Sequence, residues 1–406
     1  MKTFLSLGRQ ALANDFRRPS KDGDLVFETY PLAVAVCAEC CHAQLTHVVD
    51  PERLFRDYVY RSGTSETLRT YFAQFVDFVE TLAPDRGRVL DVGCNDGTQL
   101  LEFRKRGWAC VGVDPCEEAL AIARTGGIET HRGFWNEEIA EAVGPVDVIL
   151  AQNVLAHTDD VEGFLRACGA VLRLGGRLVI QTSQARMIDE GQFDSIYHEH
   201  VSFFHTGSML ELAKRTGWMI EHATTTPIHG ISYVWVLARE NSVPVKASVG
   251  EMLAWEARRG LFDAATYARF AKRSEEAILK FRKTITDFRT EALGNPVLGY
   301  GAAAKGIVLL QAAGVSLDAI IDDCSTKWGT IAPGHVGSVV SPSYVSLLPH
   351  DRAVMWVVLA WNFFAEIFTK ITRERVHGGD RVVTVFPKFQ RMIVNPEHSR
   401  IEITPP

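Results

Sequence analysis

The chain has 406 residues, 47% of them hydrophobic and 23% charged, with a formal net charge of −6. That length exceeds one ordinary domain, and the apolar fraction excludes wholesale disorder. The mildly acidic balance argues against a general binder of nucleic acid or anionic membrane and leaves room only for a local basic pocket. The densest apolar run, residues 353–361, is nine residues long, whereas a membrane-spanning helix needs about 20. The first residues lack the apolar stretch and cleavage site of a secretory leader, so a cytoplasmic protein is expected. Eight cysteines (37, 40, 41, 94, 110, 116, 168 and 324) are too sparse for a disulfide scaffold.

In chain order, residues 1–52 form a short unit with a polar start, a strand-like stretch over 27–36, and the run CAECCH at 37–42. Residues 53–82 are amphipathic at helical spacing, interrupted at Gly63. From Arg88 strands and helices alternate: RVLDV, TQLLEFRKRG, ACVGVD, CEEALAIARTGG, VDVILAQNV, DVEGFLRACGAVLRLGG and GRLVIQTS. That alternation predicts a parallel sheet covered on both faces, with the apolar runs 217–223 and 231–238 as an antiparallel pair closing it. Residues 241–292 read as a charged helical connector. Residues 293–406 then begin a second strand–turn–helix domain with NPVLGYGAAAKGIVLLQAAG. The expected division is therefore 1–52, 53–240, 241–292 and 293–406.

Two glycine-rich turns carry chemistry. The first, VLDVGCNDG at 89–97, follows a strand and opens a helix, and the next strand ends in Asp114, 23 residues after Asp91. Glycines there let backbone approach a ligand, the helix start favours an anion, and the strand-end acid suits ribose hydroxyls. Asn95 stands where a dinucleotide fingerprint wants its second glycine, and the acid inside the strand is the pattern of S-adenosylmethionine (SAM) enzymes. The second turn, GYGAAAKG at 299–306, satisfies G-x-G-x-x-A with Asp322 and Asp323 about 20 residues on. It supports the alternative of an NAD-dependent nucleotide-sugar oxidoreductase; a non-catalytic nucleotide-sugar binding protein that retains the folds is a third possibility. Lys305 there is either a phosphate partner or a solvated helix-start lysine.

A third cluster, FDSIYHEH at 193–200, sets Tyr197, His198, Glu199 and His200 in a row after a strand. It is not a helical zinc-protease motif, since position 202 is Ser. His157 closes NVLAH after the fourth strand, at the carboxyl end where ligands of open α/β sheets lie; it is an acid/base or a capping histidine.

VLDVGCNDG, FDSIYHEHVSFF and GYGAAAKG together resemble the SAM-dependent sugar C-methyltransferases, over essentially the whole chain. The resemblance implies an α/β fold: a class I methyltransferase domain, a C-terminal Rossmann-like domain and a small N-terminal zinc-type module. It implies methylation of carbon on a nucleoside-diphosphate-linked 4-keto-deoxysugar. His200 would be the base that forms an enolate, Glu199 its orienting carboxylate, Tyr197 a donor to the ketone oxygen, and His157 a second acid/base. SAM would be held by Asp91, Gly93, Asn95, Asp96, Gly97, Asp114 and Asn153. The sugar nucleotide, lying between the two larger domains, would be held by Tyr58, Tyr60, Ser62, His198, His229, Lys305 and Asn362. At 229–232 the family's His-Gly-Gly-Ser reads His-Gly-Ile-Ser, which bears on the sugar and not on the reaction class. Cys37 and Cys40 have the spacing of half a zinc site. The family's first cysteine pair precedes a stretch similar to FLSLGRQALANDF, so the expectation is a truncated, half-empty zinc module. The nucleotide sugar is the expected partner, with no nucleic acid and no membrane; the sequence does not set the oligomeric state.

Overall fold

The computed structural model describes residues 1–19, 25–56, 62–64, 66–85, 87–183, 187–240, 242–375, 377–394 and 401–403, with backbone alone at 64, 66, 67, 229 and 401–403. The chain divides into two compact units that interleave in sequence. One holds residues 1–2, 36–186 and 199–264; the other holds 3–35, 187–198 and 265–406.

The first unit is built on a seven-stranded sheet: β1 (Arg88–Val92), β2 (Ala109–Asp114), β3 (Glu129–Arg132), β4 (Val146–Gln152), β5 (Leu172–Thr182), β6 (Trp218–Thr226) and β7 (Ser232–Arg239). Their order is β6-β7-β5-β4-β1-β2-β3. β1 to β5 are mutually parallel, while β7 runs antiparallel to β5 and to β6. The closing antiparallel pair follows from the sequence, because alternate residues of β7 serve opposite faces. Trp235 and Leu237 join the core with Leu90, Ile149 and the helix Val161–Val171, while Val234 and Val236 join Val89, Val148 and Phe103. Consecutive residues of one strand thus feed two cores, which is why these strands read as continuous apolar runs.

The second unit carries another seven-stranded sheet: β8 (Val297–Tyr300), β9 (Ala319–Ile321), β10 (Val339–Val340), β11 (Met355–Val358), β12 (Arg381–Thr384), β13 (Gln390–Val394) and β14 (Ile401–Ile403). The order is β10-β9-β8-β11-β12-β13-β14, with the last two strands antiparallel. The strand Lys2–Ala11 lies almost wholly in this unit, beside the strand Thr29–Val36. Its sequence reads as a polar start, yet Leu5 and Leu7 are buried at alternate positions. Gln311 clips its end, accepting from the Ala11 N–H (2.8 Å) and donating to the Ala11 carbonyl (3.1 Å).

The stretch expected as a connector is two helices with different allegiances. Ala247–Arg258 buries Val249 and Glu256 in the first unit, whereas Ala264–Glu291 buries Tyr267, Phe270, Phe281, Ile285 and Phe288 in the second. Apolar side chains at helical spacing need a core, and surface charges on the other faces masked them in the sequence. Among the described residues no helix is long and apolar enough to cross a membrane.

The turn after β1 depends on Gly93, whose φ is +71° and whose missing Cβ would stand 2.4 Å from Val154 Cγ2. Gly93→Ala is expected to cost about 2–4 kcal/mol by combining left-handed backbone strain with overpacking. Urea unfolding checks this, and adding Val154→Ala should recover only the steric part.

Candidate functional site

The carboxyl ends of β1, β2 and β4 open into a cavity of about 750 Å³ in the first unit, walled also by Phe55, Leu68, Tyr71, Phe72 and Trp135. Its floor is the glycine turn. Gly93 and Asn95 both have positive φ (71° and 52°), and the Asn95 N–H donates to Asp114 Oδ2 at 2.9 Å. The other oxygen of Asp114 accepts from the Cys116 N–H, also at 2.9 Å. One strand-end carboxylate therefore ties the turn after β1 to the turn after β2.

Of the residues assigned to SAM, Asp91, Gly93, Asn95, Asp114 and Asn153 line the cavity. Asp96 does not. Its carboxylate accepts from the Gly63 N–H (2.8 Å) and from Thr98 Oγ1 (2.6 Å), so it holds the 62–64 segment and the helix start. Gly97 is the left-handed cap of the helix Thr98–Lys105. Asp91 is buried, and burial together with Asp114 pushes its carboxyl up to about 8.

Of the residues assigned to the substrate, Ser62 lines the cavity and its N–H donates to Asn95 Oδ1 at 3.2 Å. Tyr58, Tyr60 and the side chain of His229 lie outside the described residues. His198 and Lys305 belong to the second unit, His198 edge-on to the Tyr30 ring at 5.9 Å. Asn362 is exposed there, in the turn Trp361–Phe363.

Lys305 is not a solvated lysine. Its Nζ is buried, has no hydrogen-bond partner among the described residues, and sits 4.9 Å from the centre of the Trp361 ring. The indole N–H of Trp361 donates to Asp194 Oδ2 at 2.6 Å, leaving Asp194 Oδ1 unpartnered. Burial lowers the Lys305 ammonium and raises the Asp194 carboxyl, each opposed by the charge of the other.

Of the four acid/base candidates, the first unit brings His157 and His200 together, with ring centres 5.1 Å apart. His157 lines the cavity and stacks on Phe55 at 5.5 Å, and burial pushes its imidazole down to about 4. Glu199 and His200 are buried in the same unit; Tyr197 falls in the other.

Several cavity residues escaped the sequence reading. Among the described residues Gln99 Nε2 and Gln152 Nε2 are buried without hydrogen-bond partners, as is Oδ1 of the expected Asn153, and Tyr71 donates to Gln181 Oε1. Glutamines and a helical tyrosine carry no motif, so only their convergence on one cavity marks them. Three orphaned polar atoms around a glycine turn fit a polar ligand the size of a nucleoside.

Family models match three stretches of the chain. A model described as "Methyltransferase domain" matches residues 65–223, one for a C-methyltransferase C-terminal domain matches 227–387, and one described as "Putative zinc binding domain" matches 1–55. The chain is 31% identical to the C-methyltransferase NovU of Streptomyces niveus over 398 residues, 95% of this chain and 92% of that protein. It is 35% identical to the ubiquinone biosynthesis O-methyltransferase of Rhizobium rhizogenes over 105 residues, 25% of this chain and 42% of that one. Among solved structures it is similar to magnesium protoporphyrin IX methyltransferase of Synechocystis with bound SAH (TM-score 0.35, 14% identity, 42% of this chain and 83% of that one). On the methyltransferase-domain match and the order of its seven-stranded sheet, the first unit has the class I SAM-dependent methyltransferase fold. The chain belongs to the C-methyltransferase family and is a SAM-dependent C-methyltransferase.

The N-terminal match raises zinc, and the described residues do not fit it. Among them no three His, Cys, Asp or Glu side chains are grouped to hold a metal ion. His42, the nearest imidazole in sequence to Cys40 and Cys41, is half-buried against Phe204, with Nε2 3.3 Å from Ser202 Oγ.

Two kinds of buried group give stability opposite pH limbs. His157 and His42 have an ordinary value of 6.5 and are held near 4. The unfolded chain takes up those protons first, so stability falls as pH drops from about 6.5 towards about 4. Asp91 moves the other way, from 3.8 to about 8. There the folded chain holds the extra proton, and stability falls as pH rises across that range. In urea titrations across pH, His157→Asn should flatten the acid limb and Asp91→Asn the alkaline one.

Proposed function

We propose that the enzyme methylates carbon beside the ketone of a nucleoside-diphosphate-linked 4-keto-deoxysugar, through an enolate formed by its own base. The observation that carries this reading is the half-buried His157, which lines a cavity whose floor fits SAM, with the buried His200 beside it, within a chain that resembles sugar C-methyltransferases in FDSIYHEHVSFF. Carbon is a poor nucleophile, so a proton next to the ketone must be removed before transfer.

Asp91, Gly93, Asn95, Asp114 and Asn153 would hold SAM, with the orphaned amide groups of Gln99 and Gln152 completing the polar wall. Bound there, SAM supplies an electrophilic methyl on a sulfonium. His200 takes the proton from the carbon beside the ketone. Glu199, its chain neighbour, orients a histidine and stabilises the imidazolium that results. His157 is kept neutral at working pH by burial, so the imidazolium forming on His200 faces no second fixed cation across 5.1 Å, and His157 can accept or relay a proton. Tyr197 donates to the ketone oxygen, where negative charge develops. Lys305, a buried ammonium without a protein partner, answers the diphosphate.

The NAD-dependent alternative rests on the second glycine turn, and its geometry disfavours that reading. Asp322 accepts from the Ala302 N–H (2.6 Å) and the Cys324 N–H (2.8 Å), and Lys327 Nζ stands 3.7 Å from the same carboxylate while donating to the Ala302 carbonyl (2.8 Å). A protein cation thus occupies the approach that ribose hydroxyls would need.

His200→Asn should abolish deuterium exchange beside the ketone and lower kcat at least about 100-fold, while the SAM Kd by calorimetry stays within about twofold. Exchange that continues unchanged removes His200 as the base. Lys305→Met should raise KM for the nucleotide sugar about 10- to 100-fold, the loss of a charge-assisted contact, again with SAM binding intact.

A further inference from the structure

Three polar atoms on one side of the cavity in the first unit lack a partner, and their kinds match one chemical group. Among the described residues Gln99 Nε2, Gln152 Nε2 and Asn153 Oδ1 are buried without a hydrogen bond, and all three residues line the cavity. A side-chain amide nitrogen donates and its oxygen accepts, so the set is two donors and one acceptor. Gln152 ends β4, Asn153 follows it, and Gln99 is the second residue of the helix Thr98–Lys105, which leaves the turn after β1. β4 and β1 are neighbours in the sheet, with β2 and β3 beyond β1. Gln99 is only 3% exposed, so bulk water does not satisfy its amide. Asn153 has φ of +55°, and its N–H donates to the Gln181 carbonyl at 2.9 Å.

The rest of the wall is chemically different. Past β2 and β3 stand Asp114 and the rings of Phe134 and Trp135, which suit a ribose and a flat base. Arg166, the one Lys or Arg among the described wall residues, lies 3.9 Å from both Glu137 and Asp160, so acids already answer it. An anion on the β1–β4 side therefore meets neutral amide donors and a helix start. An amino-acid head group complements that set. Its carboxylate accepts from two donors, its ammonium donates to one acceptor, and the zwitterion leaves no net charge buried among neutral groups.

Resting on the reading that SAM occupies this cavity, we propose that Gln99 and Gln152 recognise its methionyl carboxylate and that Asn153 Oδ1 receives its ammonium. The three amides then select a nucleoside that carries an amino-acid head over the same nucleoside without one.

Calorimetry on the full chain tests this with two probes. One is S-adenosylhomocysteine (SAH); the other is 5′-methylthioadenosine, which keeps the adenosine and the sulfur and lacks the head group. Gln99→Met and Gln152→Met should each weaken SAH about 10-fold or more, the loss of a hydrogen bond to a charged group, and leave methylthioadenosine within about twofold. Asn153→Gly, which keeps the positive φ accessible, should show the same split. Gln99→Glu should weaken SAH beyond Gln99→Met, because two carboxylates then face each other. Unchanged SAH affinity in both methionine variants overturns the proposal, and so does tighter SAH binding in Gln99→Glu, which would put the ammonium there. Equal losses for both probes, in variants that melt as the parent does, overturn the head-group assignment while leaving SAM in the cavity. If Asp114→Asn changes neither probe's Kd, the placement of SAM itself fails, and the head-group assignment with it.

Discussion

One carboxylate fixes the geometry on which the methyltransferase site depends. Asp114 accepts from the backbone N–H groups of Asn95 and Cys116, joining two turns that follow separate strands. The turn it holds contains Gly93 and Asn95 at positive φ, and for the non-glycine residue that conformation costs about 1–3 kcal/mol. Charge-assisted hydrogen bonds of about 1.5–3 kcal/mol offset the strain. Held in this way, Asn95 presents its side chain to the Ser62 N–H, and neighbouring Asp96 takes the Gly63 N–H. The preceding segment is thereby anchored to the cavity floor by polar bonds to backbone, which hold whatever side chains that segment carries.

The second unit repeats this device and alters it. Asp322 bonds the Ala302 and Cys324 N–H groups, and the Gly301 N–H reaches the Ile321 carbonyl at 2.7 Å as the Gly93 N–H reaches that of Val113. The residue two before the turn glycine is Asp91 in one unit and Gly299 in the other. A Cβ on Gly299 would meet Leu359 and Leu317 at 2.8 and 2.9 Å, so leucines fill the region where the first unit keeps a buried acid. Lys327 then neutralises Asp322 from within the chain. The same strand–turn–helix sequence grammar therefore produces a ligand floor in one unit and an internally satisfied turn in the other.

The parallel sheets were legible because strands buried on both faces leave continuous apolar runs, and VLDVGCNDG was legible because a turn at positive φ restricts residue type. The strand Lys2–Ala11 was not, since its burial on one side alone gives Leu5 and Leu7 no more than a weak alternation among polar residues. Asp96 looked like a ligand residue from its place in the motif, but short carboxylates beside backbone N–H groups compete for local bonds, and here the local bonds won. Lys305 was balanced in the sequence between a surface role and a phosphate role. Burial of its Nζ against Trp361 decides against the surface role, because the tryptophan is 56 residues away in sequence. Gln99 and Gln152 gave no signal at all, since convergence on a cavity is a property of the fold.

Charge separates what the two units can hold. The cavity of the first unit is lined by Asp114, Glu137, Glu138, Asp159 and Asp160, with Asp91 held up to about 8 and so largely protonated, against Arg166 as the one Lys or Arg among the described wall residues. That excess suits a sulfonium compound and opposes a diphosphate, even after solvent screening of the outer carboxylates. The proposed nucleoside-diphosphate substrate would therefore have to meet its cation outside this cavity. Lys305 carries an ammonium that is already desolvated, faces Asp194 without a hydrogen bond to it, and is held over an aromatic ring. An ammonium in that state gains more from an incoming phosphate than a hydrated surface lysine would, because its desolvation cost was met when the chain folded.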